Sequence, residues 1–198
     1  MSVYTVIIFL IAYFICSINP AIIICKLKTG EDIRRLGSGN TGTANTMRVL
    51  GKPLGILVTI LDICKVFVTL LVIKYISQIF GEGMTDALKT PEILGVIFGH
   101  CFPVYYGFRG GKGVIVGVTM IAILDPRTAL ICTIAAFLVM IFTRTISIGT
   151  LAGVVLYIII AFVMQYEYLL AVVISSAVVI FRHRQSIQRI LAKQEGKF

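Results

Sequence analysis

The chain has 198 residues, of which 58% are hydrophobic and only 14% are charged, with a mean hydropathy of +1.00 and a formal net charge of +9. Because a soluble domain carries about 25% charged residues, this composition excludes an ordinary water-soluble protein and indicates several membrane spans. The five cysteines form no CxxC pair and no Cys/His ligand spacing, so the sequence does not predict a zinc site.

Apolar stretches recur along the whole chain and predict seven membrane-spanning helices. Only helices and closed barrels satisfy their backbone in lipid, and the ten-residue alternation of a barrel does not occur. The first stretch is too long for the apolar core of a signal peptide, so it is interpreted as a span. The predicted spans are residues 3–25, 54–73, 93–106, 114–124, 128–142, 147–164 and 168–181. We therefore expect an all-α integral membrane bundle, some of its helices short, that forms a single transmembrane domain over residues 1–198.

Lysine and arginine are unequally divided between the two sides of this topology. With the N-terminus outside, three lie in outside segments, which are Lys74, Lys89 and Arg127, and Lys65 lies within a span. The other fourteen lie inside, namely Lys26, Lys28, Arg34, Arg35, Arg48, Lys52, Arg109, Lys112, Arg144, Arg182, Arg184, Arg189, Lys193 and Lys197. The positive-inside rule therefore predicts an outside N-terminus and a cytoplasmic C-terminus.

The first of two glycine-rich polar stretches covers residues 38–45, on the predicted cytoplasmic side. Its small residues allow a backbone to approach a ligand closely, and its side chains supply hydroxyl and amide donors. Arg48 follows Asn45 by three residues and shares its face if the segment is helical. Taken alone, such a stretch fits a helix cap and turn as well as a binding site.

The second stretch covers residues 99–113 and ends in Gly110-Gly111-Lys112-Gly113. Glycines let backbone N–H groups converge on an anion, and a lysine adds a positive charge, so this segment predicts an anion-binding loop. A flexible cytoplasmic turn is the alternative. The Walker pattern is absent, since it needs glycine where Tyr106 stands and serine or threonine where Gly113 stands. The sequence therefore argues against ATP hydrolysis by a P-loop fold.

Other polar residues lie within predicted spans or close to their ends. Asp62 and Lys65 are three residues apart in the second span, a spacing that lets them pair across one helical face. His100 fits a structural histidine as well as a ligand. His183 stands among cations that favour its neutral form, in a segment that also fits a lipid-phosphate-binding tail. Ser147 fits a helix N-cap as well as a hydroxyl donor in a site.

Taken together, the motifs resemble those of the small bacterial integral-membrane acyl-phosphate:glycerol-3-phosphate acyltransferases. The pattern S-G-N-x-G-A-T-N is matched over residues 38–45, with Thr43-Ala44 in reversed order, and G-H-x-F-P…F-x-G-G-K-G-V is matched over residues 99–114. A serine motif after a T-R pair and the C-terminal H-R-x-N-I-x-R correspond to residues 143–149 and 183–189. Ser186 stands where this last pattern has asparagine, and a hydroxyl reaches less far than an amide.

The resemblance implies transfer of a fatty acyl group from acyl phosphate to the 1-hydroxyl of glycerol 3-phosphate, which gives lysophosphatidic acid and phosphate. This is the first step of phospholipid synthesis, at the cytoplasmic face of the bacterial inner membrane. Acyl phosphate, glycerol 3-phosphate and membrane lipid are the implied partners, without cofactor, metal ion or nucleic acid. The implied catalytic residues are Ser38, Arg48, Lys112, Ser147 and His183. The implied substrate-binding residues are Asn40, Gly42, Asn45, His100, Gly110, Gly111, Gly113 and Ser186.

Within this scheme we expect Lys112 and the amides of residues 110–113 to hold one phosphate, with Ser38, Asn40 and Arg48 on the other. Ser147, His183 and Ser186 are expected to orient the acceptor and stabilise the oxyanion. The H-x-x-x-x-D pair of soluble-donor acyltransferases is absent, because Tyr105 and Gln188 stand five residues after the two histidines. Little activity is therefore expected with acyl thioesters.

Two other functions agree with a basic, apolar chain of this kind. A membrane transporter or channel for a small phosphorylated anion would also contain charged residues within short or broken spans. A non-catalytic lipid-binding subunit would explain the basic face by attraction to anionic lipid. The polar residues cluster on one face rather than along a path, and this favours the acyltransferase.

Overall fold

The computed structural model describes residues 3–80 and 86–196, which form helices joined by short connections. Single 3-10 turns cover Ile33–Arg35 and Val104–Tyr106. The prediction of an all-α fold is confirmed for these residues, among which no strand occurs. The helices are α1 (Val3–Cys16), α2 (Pro20–Thr29), α3 (Thr43–Leu50), α4 (Lys52–Ile79), α5 (Asp86–Cys101), α6 (Val114–Leu124), α7 (Pro126–Thr143), α8 (Ile146–Val163), α9 (Leu169–Arg182) and α10 (Arg184–Leu191).

Four segments of the described chain are long and apolar enough to cross a membrane. They are Val3–Thr29, which joins α1 and α2, and the single helices α4, α7 and α8. Helices α9 and α10 pass the same test together but are bent by 56° where they meet. Helix α6 has 11 residues, too few to cross the roughly 30 Å hydrocarbon core alone. Each predicted span overlaps a helix, and four or five segments meet the length of a full crossing.

Three predicted spans have different limits in the structure. The second, predicted over 54–73, is longer and covers Lys52–Ile79. The first is interrupted between α1 and α2, where the Asn19 carboxamide accepts a hydrogen bond from the Ile22 amide at 3.2 Å and Pro20 begins the new helix. The third, predicted over 93–106, begins earlier, at Asp86, and ends at Cys101. Pro103 explains the early end, because proline disfavours helical backbone in the residue before it.

Glycines four residues apart bring pairs of helices into close contact. A Cβ atom at Gly95 of α5 would lie 2.6 Å from the Phe9 carbonyl oxygen of α1, and Gly99 makes a similar close approach one turn later. Gly149 and Gly153 of α8 face α7 in the same way. Such spacing of small residues is typical of helix packing in membranes, where backbone proximity and van der Waals contact replace the hydrophobic effect.

Polar residues are concentrated at the two ends of the bundle. At one end Asp125 accepts hydrogen bonds from Thr128, at 2.6 Å, and from Tyr166. These bonds lower the pKa of Asp125 to about 2. The other end carries both glycine-rich stretches, the connection between α7 and α8, and α10. The two motifs that the sequence analysis singled out therefore share one end of the fold.

Candidate active site

The loop that carries the second motif folds back tightly on the end of α5. The Gly110 amide donates to the Cys101 carbonyl at 3.2 Å, and the Gly111 amide donates to the His100 carbonyl at 3.1 Å. A Cβ atom at Gly110 would collide with that His100 carbonyl, and one at Gly111 would collide with the His100 imidazole. Both amides donate to backbone oxygens in this structure, and their convergence on a phosphate stays a prediction. Their glycines are required by packing.

Arg182 holds the same loop from its other side. Its Nε donates to the Gly111 carbonyl at 3.0 Å and its Nη2 to the Gly110 carbonyl at 2.5 Å. The guanidinium also lies 5.5 Å from the centre of the Phe102 ring, a cation–π contact. Arg182 was not predicted as a site residue, because a cation at the end of a span already satisfies the positive-inside rule. The tertiary structure makes it a clamp on the glycine loop.

Lys112 projects from this clamped loop toward the C-terminal motif. Its Nζ donates to the Ser186 hydroxyl at 2.7 Å, and Arg189 Nη2 donates to the same oxygen at 3.0 Å. Ser186 is fully buried. Since Ser186 and Arg189 are three residues apart on α10, they share one helical face. The structure thus brings two predicted site residues together across 74 positions of sequence and adds a second cation, Arg189, to them.

Glu195, from the segment after α10, completes this cluster. Its carboxylate pairs with Arg189 Nε at 2.5 Å and accepts a hydrogen bond from the buried Ser147 hydroxyl at 2.7 Å. Burial raises the pKa of Glu195, but the bonds from Arg189 and Ser147 outweigh it and leave the pKa lowered. The N-cap of α8 is Thr145, so the N-cap interpretation of Ser147 is wrong. We call Lys112, Ser147, Ser186, Arg189 and Glu195 the Lys112 cluster.

Two members of the Lys112 cluster, Arg189 and Glu195, were not among the predicted site residues. For Arg189 a signal was available, since it stands one helical turn after Ser186 in a basic segment. For Glu195 there was none, because its place depends on how the chain returns toward α8 after α10.

Burial makes the charge of Lys112 sensitive to pH. Desolvation lowers the pKa of the Lys112 ammonium to about 8, and the neighbouring cations Arg189 and Arg182 act in the same direction. The Glu195 carboxylate opposes them and raises the pKa. Lys112 is therefore mostly charged at neutral pH and loses its charge in mildly alkaline solution.

The first motif forms a compact loop built around the side chain of Asn45. Its amide nitrogen donates to the carbonyls of Asn40, at 2.9 Å, and Leu36, at 3.1 Å, while its oxygen accepts from the Ser38 amide at 2.7 Å. Asn45 is 1% exposed. In this structure it organises the loop, and the exposed polar side chains here are Ser38 and, on α3, Arg48. Gly42 is the N-cap residue of α3, whose helical form puts Arg48 and Asn45 on one face.

Arg34 connects this region to the glycine loop. Its guanidinium is paired with Asp32 at 2.6 Å and donates to the carbonyl of Tyr106 at 2.6 Å and, more weakly, of Arg109 at 3.4 Å. Hydrogen bonding to Arg34 lowers the pKa of Asp32, so the pair stays charged. The segments that carry the two motifs are thus joined at one end of the bundle.

His183 is buried at the bend between α9 and α10, with 2% of its surface exposed. Its Nδ1 lies 2.8 Å from the Val179 carbonyl oxygen. Because a carbonyl only accepts, Nδ1 carries the proton and Nε2 keeps its lone pair. His183 is therefore available as a hydrogen-bond acceptor through Nε2.

The structure places the predicted site residues in two neighbouring groups. Lys112 bonds directly to Ser186, and Ser147 is joined to them through Glu195 and Arg189. His100 lies beneath Gly111. Gly113 is the N-cap residue of α6 and has a positive φ of 84°. The side chains of Ser38, Asn40 and Arg48 belong to the first-motif loop, and the contacts described above do not join them to the Lys112 cluster.

The family described as "Glycerol-3-phosphate acyltransferase" matches residues 6–193 of this chain. The chain belongs to this family. A glycerol-3-phosphate acyltransferase of Staphylococcus aureus (strain Newman) is 35% identical over 97% of this chain and 96% of its own length. One of Aquifex aeolicus (strain VF5) is 33% identical over 94% of this chain and 95% of its own length.

Two crystal structures of PlsY, an integral membrane glycerol 3-phosphate acyltransferase, share the fold. The glycerol 3-phosphate form has a TM-score of 0.85 and 32% identity, and the lysophosphatidic acid form has a TM-score of 0.81 and 30% identity. Each comparison covers 98% of this chain and 95% of the PlsY chain. The function predicted from the motifs is thus confirmed: the chain is a membrane-embedded glycerol-3-phosphate acyltransferase. The comparisons support neither the transporter nor the lipid-binding alternative.

Proposed function

We propose that this acyltransferase takes its acyl group from acyl phosphate and transfers it to the 1-hydroxyl of glycerol 3-phosphate. The observation that carries the proposal is the Lys112 cluster, where two cations converge on one buried hydroxyl next to a clamped glycine loop. The related PlsY structures are of glycerol 3-phosphate and lysophosphatidic acid forms, a substrate and the product of this reaction. Both carry phosphate, the group that such cations bind.

The proposed topology has seven membrane-embedded segments, with the N-terminus outside and the site at the cytoplasmic face of a bacterial inner membrane. The unequal division of lysine and arginine supports it. The packing supports it as well, because four cations lie at one end of the bundle, where they contact the glycine loop or α10. They are Arg34, Lys112, Arg182 and Arg189.

Charge neutralisation is the main task of this site. Two phosphate-bearing substrates together carry up to about four negative charges. Two unit charges about 4 Å apart interact by about 4 kcal/mol at an effective dielectric of about 20, compared with about 1 kcal/mol in water. Half-buried Lys112 and Arg189 offset this repulsion for one phosphate. We assign the other to Ser38, Asn40 and Arg48 on the first-motif loop.

In the proposed reaction the acceptor hydroxyl oxygen attacks the acyl carbonyl carbon. A carbon–oxygen ester bond forms, the bond from the carbonyl carbon to the phosphate oxygen breaks, and the hydroxyl proton leaves on a phosphate oxygen. Acyl phosphate is a mixed anhydride with a good leaving group, so positioning and electrostatic stabilisation carry the step. Ser147, His183 and Ser186 orient the acceptor and donate or accept hydrogen bonds around the oxyanion.

Donor choice tests this proposal directly. Purified protein in detergent is assayed with glycerol 3-phosphate and either palmitoyl phosphate or palmitoyl-CoA, and both lysophosphatidic acid and released phosphate or thiol are measured. We expect product from the phosphate donor and little from the thioester, since the site contains no H-x-x-x-x-D base. Comparable rates with both donors would contradict the proposed donor while leaving the acyltransferase activity intact.

The lowered pKa of Lys112 predicts an alkaline limit to activity. Glycerol 3-phosphate keeps its dianionic charge above its second phosphate pKa of about 6, whereas Lys112 loses its proton as the pH rises through about 8. We therefore expect kcat/KM, which reports the free enzyme, to fall above about pH 8. It is measured between about pH 6.5 and 9.5.

The matched variant for this profile is Lys112→Arg. Arginine stays protonated throughout this range, so the residual activity of the variant is expected to show no decline near pH 8. If the wild-type kcat/KM stays constant to about pH 9.5, deprotonation of Lys112 does not limit activity and the prediction is wrong.

A further inference from the structure

A buried charged network lies under the glycine loop, apart from the Lys112 cluster. Asp62 and Lys65 of α4 are 2% and 7% exposed, and Lys65 Nζ lies 2.8 Å from Asp62 Oδ1. The predicted pairing of these residues is confirmed. The same ammonium donates to the Ile18 carbonyl at 3.0 Å, in the break between α1 and α2, and contacts His100 Nδ1 at 2.9 Å. One lysine thus joins α4, α5 and the α1–α2 break.

Stability alone does not account for this network. Charges within a membrane bundle are costly to bury, and a buried ion pair is often no more stable than apolar residues of the same volume. Within transmembrane helices such pairs are usually functional. Neither Asp62 nor Lys65 belongs to the cluster that we assign to the substrates.

The network determines which nitrogen of His100 carries the proton. An ammonium group only donates hydrogen bonds, so His100 Nδ1 accepts from Lys65 and the proton is on Nε2. Asp62 Oδ1 lies 3.6 Å from the same Nδ1, too far to compete as an acceptor. The ring of His100, 4% exposed, is held in one orientation as well as in one tautomer.

The fixed ring in turn shapes the glycine loop. His100 Nε2 faces Gly111, where even a Cβ atom would collide with it, and the His100 carbonyl accepts from the Gly111 amide at 3.1 Å. The next residue is Lys112, whose Nζ reaches Ser186. The chain of contacts therefore runs from Lys65 through His100 and Gly111 to the cation of the site.

We propose that Asp62 and Lys65 are positioning residues for acyl transfer, which act through His100 to hold the glycine loop where Lys112 meets the substrate phosphate. This inference rests on the proposed role of Lys112. A displacement of about 1 Å in such a site costs up to about a hundredfold in rate. Loss of the network is therefore expected to lower activity without unfolding the bundle.

The test uses the double variant Asp62→Asn/Lys65→Met, which removes both charges and leaves neither unpaired. Histidine-selective 15N NMR of the full chain in detergent reads the tautomers directly, since the chain contains only two histidines. In wild type His100 is expected as Nε2–H and His183 as Nδ1–H. In the double variant His100 is expected to become a tautomer mixture while His183, whose partner Val179 is untouched, stays unchanged. The variant His183→Gln assigns the signals.

Kinetics on the same samples complete the test. We expect kcat/KM of the double variant to fall at least about tenfold, with a melting temperature close to that of wild type. The control is Glu92→Gln, which replaces another buried acidic side chain, 1% exposed, on α5 and is expected to keep wild-type kcat/KM and both tautomers.

Two results would overturn the inference: an unchanged His100 tautomer in the double variant, or a changed tautomer with unchanged kcat/KM. A wrong donor assignment would give a different result. Wild type would then be inactive with palmitoyl phosphate, while the NMR comparison would still report whether Asp62 and Lys65 set the tautomer of His100.

Discussion

Replacement of Lys112 by alanine is expected to lower acyl transfer by about a hundredfold to a thousandfold, the usual effect of removing one preorganised charge or donor from a transition-state site. The ammonium is half-buried and bonded to Ser186 at 2.7 Å, where Arg189 also donates. Without Lys112, a bound phosphate loses a cation in an environment that screens charge poorly. The measurement is lysophosphatidic acid formed from palmitoyl phosphate and glycerol 3-phosphate by the purified variant.

The control for this prediction is Lys28→Ala, which removes one positive charge from an exposed position on α2. It is expected to retain wild-type activity, because an exposed cation outside the site contributes little to binding. The fold of both variants is checked by thermal unfolding in detergent. Activity of folded Lys112→Ala within a few-fold of wild type would refute the assignment of this lysine to a substrate phosphate.

Gly111→Ala is expected to have the second-largest effect, on activity and on stability together. Its Cβ atom would collide with His100 Nε2 and lie 3.0 Å from two ring carbons. The ring cannot move away freely, because Lys65 holds it at Nδ1, so the loop must shift instead. Overpacking of this kind costs about 1–3 kcal/mol, and the shift moves Lys112. We expect a lower melting temperature and a loss of kcat/KM of up to about a hundredfold.

Gly117→Ala is the matched substitution. This glycine lies within α6, and its Cβ atom would make an ordinary contact of 3.6 Å with Ile97 Cδ1. Alanine there also reduces the entropy of the unfolded chain, so the variant is expected to be as stable as wild type and fully active. Equal behaviour of Gly111→Ala and Gly117→Ala would show that the glycine loop tolerates a side chain and is not clamped as described.

Helix limits show where sequence reasoning was accurate and where it failed. Hydropathy located an apolar helix for every predicted span, because the apolar character of a helix is a property of its own residues. It extended the third span through Pro103, although proline ends α5 at Cys101, and it treated residues 3–25 as continuous across the Asn19–Pro20 break. Both errors arise because an average over a window hides the effect of one residue on the backbone.

The candidate site divides in the same way. Lys112 was predicted from its glycine-rich surroundings, and its contact with Ser186 agrees with that role. The amides of Gly110 and Gly111 were assigned to a phosphate, yet they bond to α5. Asn45 was assigned to substrate, and the structure shows that its side chain organises its own loop. A motif shows which groups are present, but not which partner each group has already taken.

The sequence by itself determined the membrane class, the helical fold and the family. It also predicted that most of the positive charge lies on the same side of the membrane as both motifs. Each of these depends on residue type and order, which determine local hydropathy, backbone freedom and net charge. Only the tertiary structure decided that Arg182 clamps the glycine loop, that Glu195 enters the Lys112 cluster, and that Lys65 sets the tautomer of His100. These contacts join residues 35 to 72 positions apart, and no local pattern encodes which distant donor and acceptor the packing of the helices brings within 3 Å.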